Sequence, residues 1–253
     1  MNPCIVSFSS HGRENYNAAM LNLIRSIKEI YYEVQRQEWN CDTMMYQFDG
    51  YIDEYLGVKI EQGKSFHYPQ PKEWQCYNHA EIPYQFKLAM IQRAKDAGHT
   101  RVIWCDSTVR LLANPQPLLE LAKEHGIVAF ENLGHPLEHW ISDNAITQLG
   151  FNSQTIKGVK QIMACVIIFD FSIKKCREIF EMWVNHSRDG LSFQNYGSTR
   201  AGFKAHRHDQ AVLSGLLHRE GIPLRPYGEL VYPPHHETKE YGENIYFLNK
   251  GVS

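Results

Sequence analysis

The chain has 253 residues, with 26 basic and 28 acidic side chains, a net charge of −2 and 43% hydrophobic residues. This length suits one compact domain, and the near-neutral charge gives no global electrostatic reason to bind nucleic acid or an anionic membrane. The composition excludes disorder as the main state, and no run approaches the roughly 18 apolar residues of a spanning helix, so we expect a soluble or cytoplasmic chain without signal peptide or membrane anchor.

The first half of the chain alternates strands and helices. Strands are predicted at 4–8, 43–48, 101–105 and 127–130, and helices at 14–34, 82–97 and 117–125. The stretch 49–79 reads as irregular structure with at most one short helix. Residues 102–105 form a nearly unbroken apolar run, which is typical of a central parallel strand covered on both faces. This order predicts an α/β fold with a mostly parallel, doubly wound sheet and helices on both faces.

The second half is less regular. A long apolar strand is predicted at 161–171, a helix capped by Ser172 follows to about 185, and a glycine-rich loop spans 190–202. A last helix covers 208–219, and an aromatic strand covers 245–248. No repeat or linker divides the chain, so a single domain over 1–253 is expected. The six cysteines include no C-x-x-C pair, which favours a reducing compartment.

Polar clusters at strand ends are the candidate binding positions, because ligands of open α/β sheets lie beyond the carboxyl ends of the strands. Three such clusters occur, at 7–12, 106–108 and 170–172. The glycine-rich dinucleotide fingerprint, the P-loop and the G-x-S-x-G elbow are all missing from the sequence. Dinucleotide oxidoreductases, P-loop enzymes and α/β-hydrolases are therefore disfavoured.

Asp106 is the most informative of these polar residues. A carboxylate that ends an apolar strand loses solvation unless donors or a cation meet it. It either forms an Asx turn or binds Mn²⁺ or Mg²⁺ that bridges a diphosphate, because hard cations prefer oxygen ligands. Ser107 and Thr108 are next to it and supply hydroxyl groups.

Four segments carry a resemblance to a known family. The run VIWCDST at 102–108 resembles the strand and D-x-D turn of GT-A-fold glycosyltransferases. PYQFK at 83–87 looks like their helical segment that places a lysine near the donor, and QIMAC with IFD within 161–170 is similar to the strand on the acceptor side. HDQAVLS at 208–214 looks like their D-Q helix start. The four segments fall in the family's order, and the resemblance covers about 3–236.

The resemblance implies transfer of a hexosyl or pentosyl group from a nucleotide sugar, a UDP sugar for preference, to a hydroxyl acceptor on a glycan or glycoconjugate. It divides the single domain into a nucleotide-binding half, about 1–110, and an acceptor-side half, about 111–253. The D-Q helix start leans towards retention at the anomeric carbon. The sugar, the acceptor, the stereochemistry and the oligomeric state stay open.

The same resemblance implies the functional residues. The catalytic pair is Asp209 and Gln210, and the donor-binding residues are Ser7, Ser9, His11, Lys87, Asp106, Ser107, Gln161 and His208. Asp106, Thr108 and one of His235 and His236 are the implied ligands of Mn²⁺ or Mg²⁺. Thr108 stands where the family has its second aspartate, and because a neutral hydroxyl binds a divalent cation more weakly than a carboxylate, the implied metal dependence is weakened.

Two other interpretations remain open from the sequence. One is a metal-dependent hydrolase in which His206, His208 and Asp209 bind zinc. The other is a catalytically silent GT-A-like protein that binds nucleotide sugars, suggested by the altered D-S-T turn. Structural roles are also available to single residues, since Asp209 would serve as a helix cap and Lys87 as an exposed surface charge.

Overall fold

The computed structural model describes residues 3–10, 14–34, 41–48, 54–63, 70–232 and 245–249. Its strands are β1 (Cys4–Ser10), β2 (Asp42–Phe48), β3 (Glu54–Tyr55), β4 (Val58–Gly63), β5 (Arg101–Cys105), β6 (Val109–Leu111), β7 (Ile127–Pro136), β8 (Lys160–Asp170), β9 (Val231–Tyr232) and β10 (Phe247–Asn249). Its helices are α1 (Glu14–Val34), α2 (Gln85–Asp96), α3 (Gln116–His125), α4 (Leu137–Trp140), α5 (Asp143–Gln148), α6 (Lys174–Arg188) and α7 (His208–Arg219).

Seven strands form the central sheet in the order β3-β4-β2-β1-β5-β8-β7. The four consecutive strands β4, β2, β1 and β5 are parallel to one another. On one side β8 lies between β5 and the edge strand β7 and runs antiparallel to both, and at the other edge β3 runs antiparallel to β4. A smaller sheet, β6-β10-β9, lies apart from it in the hydrogen-bonding pattern.

Helices cover both faces of the central sheet. Successive residues of its buried strands point to opposite faces and pack into two separate cores. On β5, Val102 and Trp104 join a core that includes residues of α2, α6 and α7. Ile103 and Cys105 join the opposite core, which includes residues of α1 and α3. The predicted α/β fold, with a mostly parallel sheet between two helical layers, is therefore confirmed.

The direction of β8 changes one expectation from the sequence. Because β8 is antiparallel to β5, Asp170 pairs with Arg101 at the start of β5. The polar cluster at 170–172 thus lies at the amino ends of the parallel strands, away from the site at their carboxyl ends. Ser172 donates to Asp170 instead of capping the next helix, which begins at Lys174 without a side-chain cap.

The stretch expected to be irregular contains β3 and β4. Val58 and Ile60 are buried, while Lys59 between them is exposed, so the strand follows a period of two over too few residues to stand out in the sequence. Within the residues that the structure describes, no helix has the length and apolar character needed to cross a bilayer.

Candidate functional site

A cavity of about 570 Å³ opens beside the carboxyl end of β5. Its walls come from the turn after β5, from β8, from the first turns of α2 and α7, and from the end of β10. The residues that carry ionic charge in this wall are Lys87, Asp106, Arg207 and Asp209.

Lys87 lies between the two carboxylates of this cavity. Its Nζ is 2.8 Å from Asp209 Oδ2 and 3.6 Å from Asp106 Oδ1, and it donates a hydrogen bond to the Ala164 carbonyl oxygen at 3.0 Å. The lysine and Asp209 side chains are each only 4% exposed, whereas that of Asp106 is 40% exposed. The buried ion pair is therefore Lys87–Asp209, and Asp106 is the carboxylate that a ligand can reach.

The surroundings of Lys87 keep it charged. Burial alone lowers the pKa of the ammonium, but Asp106 and Asp209 outweigh burial and hold that pKa above its ordinary value. Its Nζ also lies 5.4 Å from the ring of Trp104. The sequence allowed an exposed solubilising lysine at this position; the structure instead places a permanent positive charge inside the wall of the cavity.

Asp106 is held in place by hydrogen bonds to residues of β5 and β8. The indole Nε1 of Trp104 donates to Asp106 Oδ1 at 2.8 Å, and the Asp106 amide donates to the Cys165 carbonyl oxygen at 2.8 Å. The Asp106 carbonyl oxygen accepts from the Val109 amide, which closes the turn. The carboxylate is thus held at the strand end with part of its surface facing the cavity.

Asp209 and Gln210 belong to the first turn of α7. The N-cap position of α7 is Arg207 and has no side-chain cap bond, so the alternative role of Asp209 as a helix cap is not observed; its carboxylate pairs with Lys87. The Asp209 carbonyl oxygen accepts from Trp183 Nε1 at 3.1 Å, which ties this turn to α6. Gln210 is partly exposed and lines the cavity next to it.

Tyr84 and His208 precede these charged residues, and both have left-handed backbone conformations, with φ of 62° and 42°. Their rings stack at a centroid distance of 5.5 Å, and His208 Nδ1 bonds the Phe193 carbonyl oxygen at 2.7 Å. Non-glycine residues adopt positive φ at a cost, and such strain concentrates at functional sites. The two helix starts that carry Lys87 and Asp209 are therefore joined by the stacked rings.

The donor set of this turn tests the implied cation. Thr108 Oγ1 donates to Asn249 Oδ1 at 2.9 Å, so its own oxygen keeps lone pairs for a ligand. Asp106 and Thr108 offer oxygen ligands of the type that Mg²⁺ and Mn²⁺ prefer, and Lys87, which is paired with Asp209, offsets only part of the Asp106 charge. Across the described ranges no three His, Cys, Asp or Glu side chains group as a metal site. Asp106 lines the cavity and Thr108 does not, so of these two residues only Asp106 presents its side chain to a cation bound in the cavity.

The remaining predicted donor-binding residues lie away from the lining of this cavity or outside the described residues. Ser7 and Ser9 are buried on β1; the Ser9 hydroxyl donates to Asn17 Oδ1 at 3.0 Å, and Ser7 Oγ has no partner among the described residues. Ser107 is buried in the turn after β5, and Gln161 is buried on β8, outside the lining of this cavity. His11, His235 and His236 lie outside the described residues.

The zinc-hydrolase arrangement is not formed by its proposed ligands. His206 is buried, its Nδ1 accepts from the Ser142 amide at 3.1 Å, and its Nε2 donates to the Ser192 carbonyl oxygen at 2.9 Å. With both nitrogens engaged, this imidazole has none left for a metal. Burial and neighbouring His208 lower the pKa of His206 to about 3, so it is a neutral brace between loops.

Several cavity residues were not singled out from the sequence. Asn249 reaches the cavity only because β10 pairs with β6, and Asn132 and His135 reach it from the extended end of β7. Trp140 faces the Arg207 guanidinium at 4.8 Å from its ring centroid. Of these residues, only Arg207 lies in a sequence pattern that could have pointed to it, as the unspecified position x of the H-x-H-D run at 206–209.

The fold is shared with solved glycosyltransferases. The galactosyltransferase LgtC, solved with donor and acceptor sugar analogues, has a TM-score of 0.50 and 14% identity over 97% of this chain and 86% of its own. The bifunctional glycosyltransferase WbbM has a TM-score of 0.56 and 12% identity over 100% of this chain, which spans 46% of WbbM. Mouse xyloside xylosyltransferase 1 has a TM-score of 0.53 and 9% identity over 98% of this chain and 97% of its own.

No protein-family profile matches the sequence, and no curated protein is similar to it in sequence. At these identities the likeness to the solved structures concerns the fold alone. The GT-A-like fold implied by the four sequence segments is confirmed.

Proposed function

We propose that the protein is a glycosyltransferase that moves a hexosyl or pentosyl group from a nucleotide sugar, preferably a UDP sugar, to a hydroxyl acceptor on a glycan or glycoconjugate. The observation that carries this proposal is the Asp106–Lys87–Asp209 arrangement in a cavity at the carboxyl end of β5. The fold, shared with solved glycosyltransferases, supports the same reaction class.

In the proposed reaction the positive charges of the cavity bind the leaving group. Negative charge grows on the diphosphate as its bond to the sugar breaks, and preorganised cations stabilise that charge most strongly where water is excluded. Lys87 supplies a buried ammonium group, and Arg207 supplies a guanidinium that makes no ion pair with a described residue. Ser7, Ser9, His11 and Ser107 are the proposed contacts for the rest of the nucleotide.

Asp209 and Gln210 act on the sugar side of the broken bond. The Asp209 carboxylate is held by Lys87 and presented from the first turn of α7. In this position it stabilises positive character at the anomeric carbon or takes the proton of the acceptor hydroxyl. Gln210 and His208 bind sugar hydroxyls, since their polar groups line the same cavity.

A divalent cation belongs to the proposal as a weakly bound cofactor. Asp106 and Thr108 would hold Mn²⁺ or Mg²⁺, with His235 or His236 as a further ligand from the part of the chain outside the described residues. When bound, the cation would neutralise diphosphate charge beside Lys87.

The experiment is a thermal-shift panel of nucleotides and nucleotide sugars with and without Mn²⁺, followed by turnover measurements on the same sample. Stabilisation by one nucleotide sugar, with release of its nucleotide and transfer to an added glycan, is the expected result. Binding without transfer or donor hydrolysis would favour a silent binding protein. Hydrolysis of phosphoester or amide substrates with tight zinc would favour the hydrolase and contradict the proposal.

A further inference from the structure

A second, smaller depression of about 200 Å³ adjoins the cavity. The two share Asn132 and His135 of β7 as a common wall. The far side of the depression is formed by the turn at 158–159 and by the first two residues of β8, Lys160 and Gln161. The two compartments therefore lie side by side, and a ligand that occupied both would pass over these two residues.

Gln161 is the unusual residue of this depression. It is 1% exposed, and neither its amide nitrogen nor its amide oxygen has a hydrogen-bond partner in the part of the chain that the structure describes. Gln85, which is equally buried, has both amide atoms engaged, by Ser187 and by the Tyr77 amide. Because buried polar groups in folded proteins are nearly always paired, an unpaired amide on a residue of the depression wall indicates a missing partner. Both amide atoms are covered, so a ligand reaches them only when the side chain turns towards the depression.

The charges of the depression restrict what that partner is. Glu131 and Lys160 are the carboxylate and ammonium groups of its lining, and they form an ion pair with each other. Leu133, which is 59% exposed, and Pro136 supply apolar surface beside them. An anion would pair only with the amide nitrogen of Gln161, and a cation only with the amide oxygen. A neutral ligand with two adjacent hydroxyl groups satisfies both atoms.

We propose that this depression is an acceptor subsite that binds a neutral sugar unit, with two neighbouring hydroxyls on the Gln161 amide, while the next unit occupies the cavity. The proposal rests on the proposed glycosyl transfer, and it assigns Gln161 to the acceptor instead of the donor-binding role that the resemblance implied, because Gln161 does not line the main cavity. Gln161 precedes Met163 of the cavity wall by two residues, or roughly 7 Å along β8. His135 and Trp140 meet between the two compartments at 4.6 Å, so an aromatic surface lies where the sugar chain would cross.

The test compares Gln161→Met with Gln92→Met. Both replace a buried glutamine by a side chain of similar length, but the Gln92 amide is already paired with Asp96 at 2.8 Å. Binding is followed by saturation-transfer NMR with maltose, cellobiose and lactose, alongside the melting temperature and the thermal shift caused by UDP. We expect Gln161→Met to keep or raise the melting temperature, to leave the UDP shift unchanged and to weaken binding of at least one disaccharide tenfold or more.

Gln92→Met is expected to lower the melting temperature and to leave disaccharide binding unchanged. The proposal is overturned if Gln161→Met melts as low as Gln92→Met, because the amide would then be structural. It is also overturned if disaccharides bind both Gln161 forms equally, or if none of the three binds the unmodified protein. Absence of any UDP effect with normal disaccharide binding would instead contradict the proposed transferase and leave the subsite supported.

Discussion

At the scale of single residues, the site depends on how one ammonium group is shared. Lys87 is closest to Asp209, and both are withdrawn from solvent, while Asp106 lies further from the lysine and faces the cavity. A buried pair is costly to break, because removing one partner leaves the other charge without solvent or partner. The two aspartates therefore differ in role, and substitutions at them should have different consequences.

Asp106→Asn should impair catalysis much more than folding. The side chain is partly exposed, the change is isosteric, and Trp104 can still donate to the remaining oxygen. The lost negative charge is the proposed support for the cation and the diphosphate, so kcat should fall by roughly 10²- to 10³-fold. Turnover and melting temperature measured together check this. Near-normal turnover with Mn²⁺ present would reduce Asp106 to a turn residue.

Asp209→Asn should lower both turnover and stability. The amide is isosteric with the carboxylate but no longer balances Lys87, so unfolding should become easier by about 3 kcal/mol, softened by the remaining Asp106. Activity per folded molecule should fall in kcat while donor affinity is largely kept, because the charge acts in the transition state.

A double-mutant cycle with Lys87→Met separates the two effects of Asp209. If the sum of the stability losses of the two single variants exceeds the loss of the double variant, the ion pair accounts for the folding effect. Unchanged activity per folded Asp209→Asn molecule would show that the carboxylate is structural only.

His206 should make stability depend on pH below neutrality. Its pKa is lowered from 6.5 to about 3 in the folded protein, so between these values the unfolded chain binds a proton that the folded chain does not. Stability contributed by this residue is therefore complete above pH 6.5 and declines as the pH falls towards 3, by up to about 1.4 kcal/mol per pH unit.

Urea unfolding at several pH values measures this slope. His206→Asn should flatten it even where overall stability drops, while His218→Gln, at an exposed position, should keep it. An equally steep slope in His206→Asn would assign the pH dependence to other groups.

At the scale of elements, the starts of α2 and α7 determine where Lys87 and Asp209 lie. α2 and α7 both start after or at an aromatic residue with positive φ, Tyr84 and His208, and the stacked rings hold these starts together. Burial and the Asp209 carboxylate raise the pKa of the Tyr84 phenol, which keeps it neutral. The helix predicted from residue 82 therefore begins at Gln85, because Tyr84 leaves the helical region.

The junction between α3 and β7 offers a prediction about packing. Gly126 has a φ of +80°, and a Cβ placed there would lie 2.5 Å from Cys176 Cβ and 3.1 Å from Ile173 Cβ on the neighbouring α6 segment. Gly150 has a similar φ of +76° with nothing within 4 Å. Gly150→Ala should cost about 1 kcal/mol of unfolding free energy from backbone strain alone.

Gly126→Ala should cost about 1 to 3 kcal/mol more than Gly150→Ala, because α6 must shift to make room. Denaturant unfolding of the two variants supplies the comparison. Equal losses would mean that α6 moves away freely and that this junction is not tightly packed.

At the scale of the whole molecule, the fold brings distant parts of the chain together at the carboxyl ends of the parallel strands. A ligand bound there contacts the turn after β5, both helix starts and β8, so it should stabilise the domain as a unit. UDP or a related nucleoside diphosphate at 100 times its dissociation constant should add about 2.7 kcal/mol to the free energy of unfolding.

Thermal unfolding with increasing UDP measures this stabilisation, and Asp106→Asn with Mn²⁺ present should reduce it. A structure of the complex supplies the position of the diphosphate. A diphosphate bound far from Asp106 would contradict the proposed site even if the thermal shift were large.

The sequence by itself determined the elements whose signals are local. α1 begins at Glu14 and ends at Val34, and β5 covers Arg101–Cys105, as their apolar spacing predicted. Burial on one helical face, or on both faces of a strand, leaves a periodic record in neighbouring residues. The position of Asp106 at a strand end was predictable for the same reason.

Only the tertiary structure decided which of these elements meet and in which direction. Nothing local to β8 distinguishes an antiparallel strand from a parallel one, because buried strands of both kinds are apolar; its direction follows from its pairing with β5 and β7. The Lys87–Asp209 pair and the bond from Thr108 to Asn249, 141 positions away, depend on such non-local packing. Residue spacing encodes what one segment buries, whereas the partner of a buried charge is selected by every segment that packs around it.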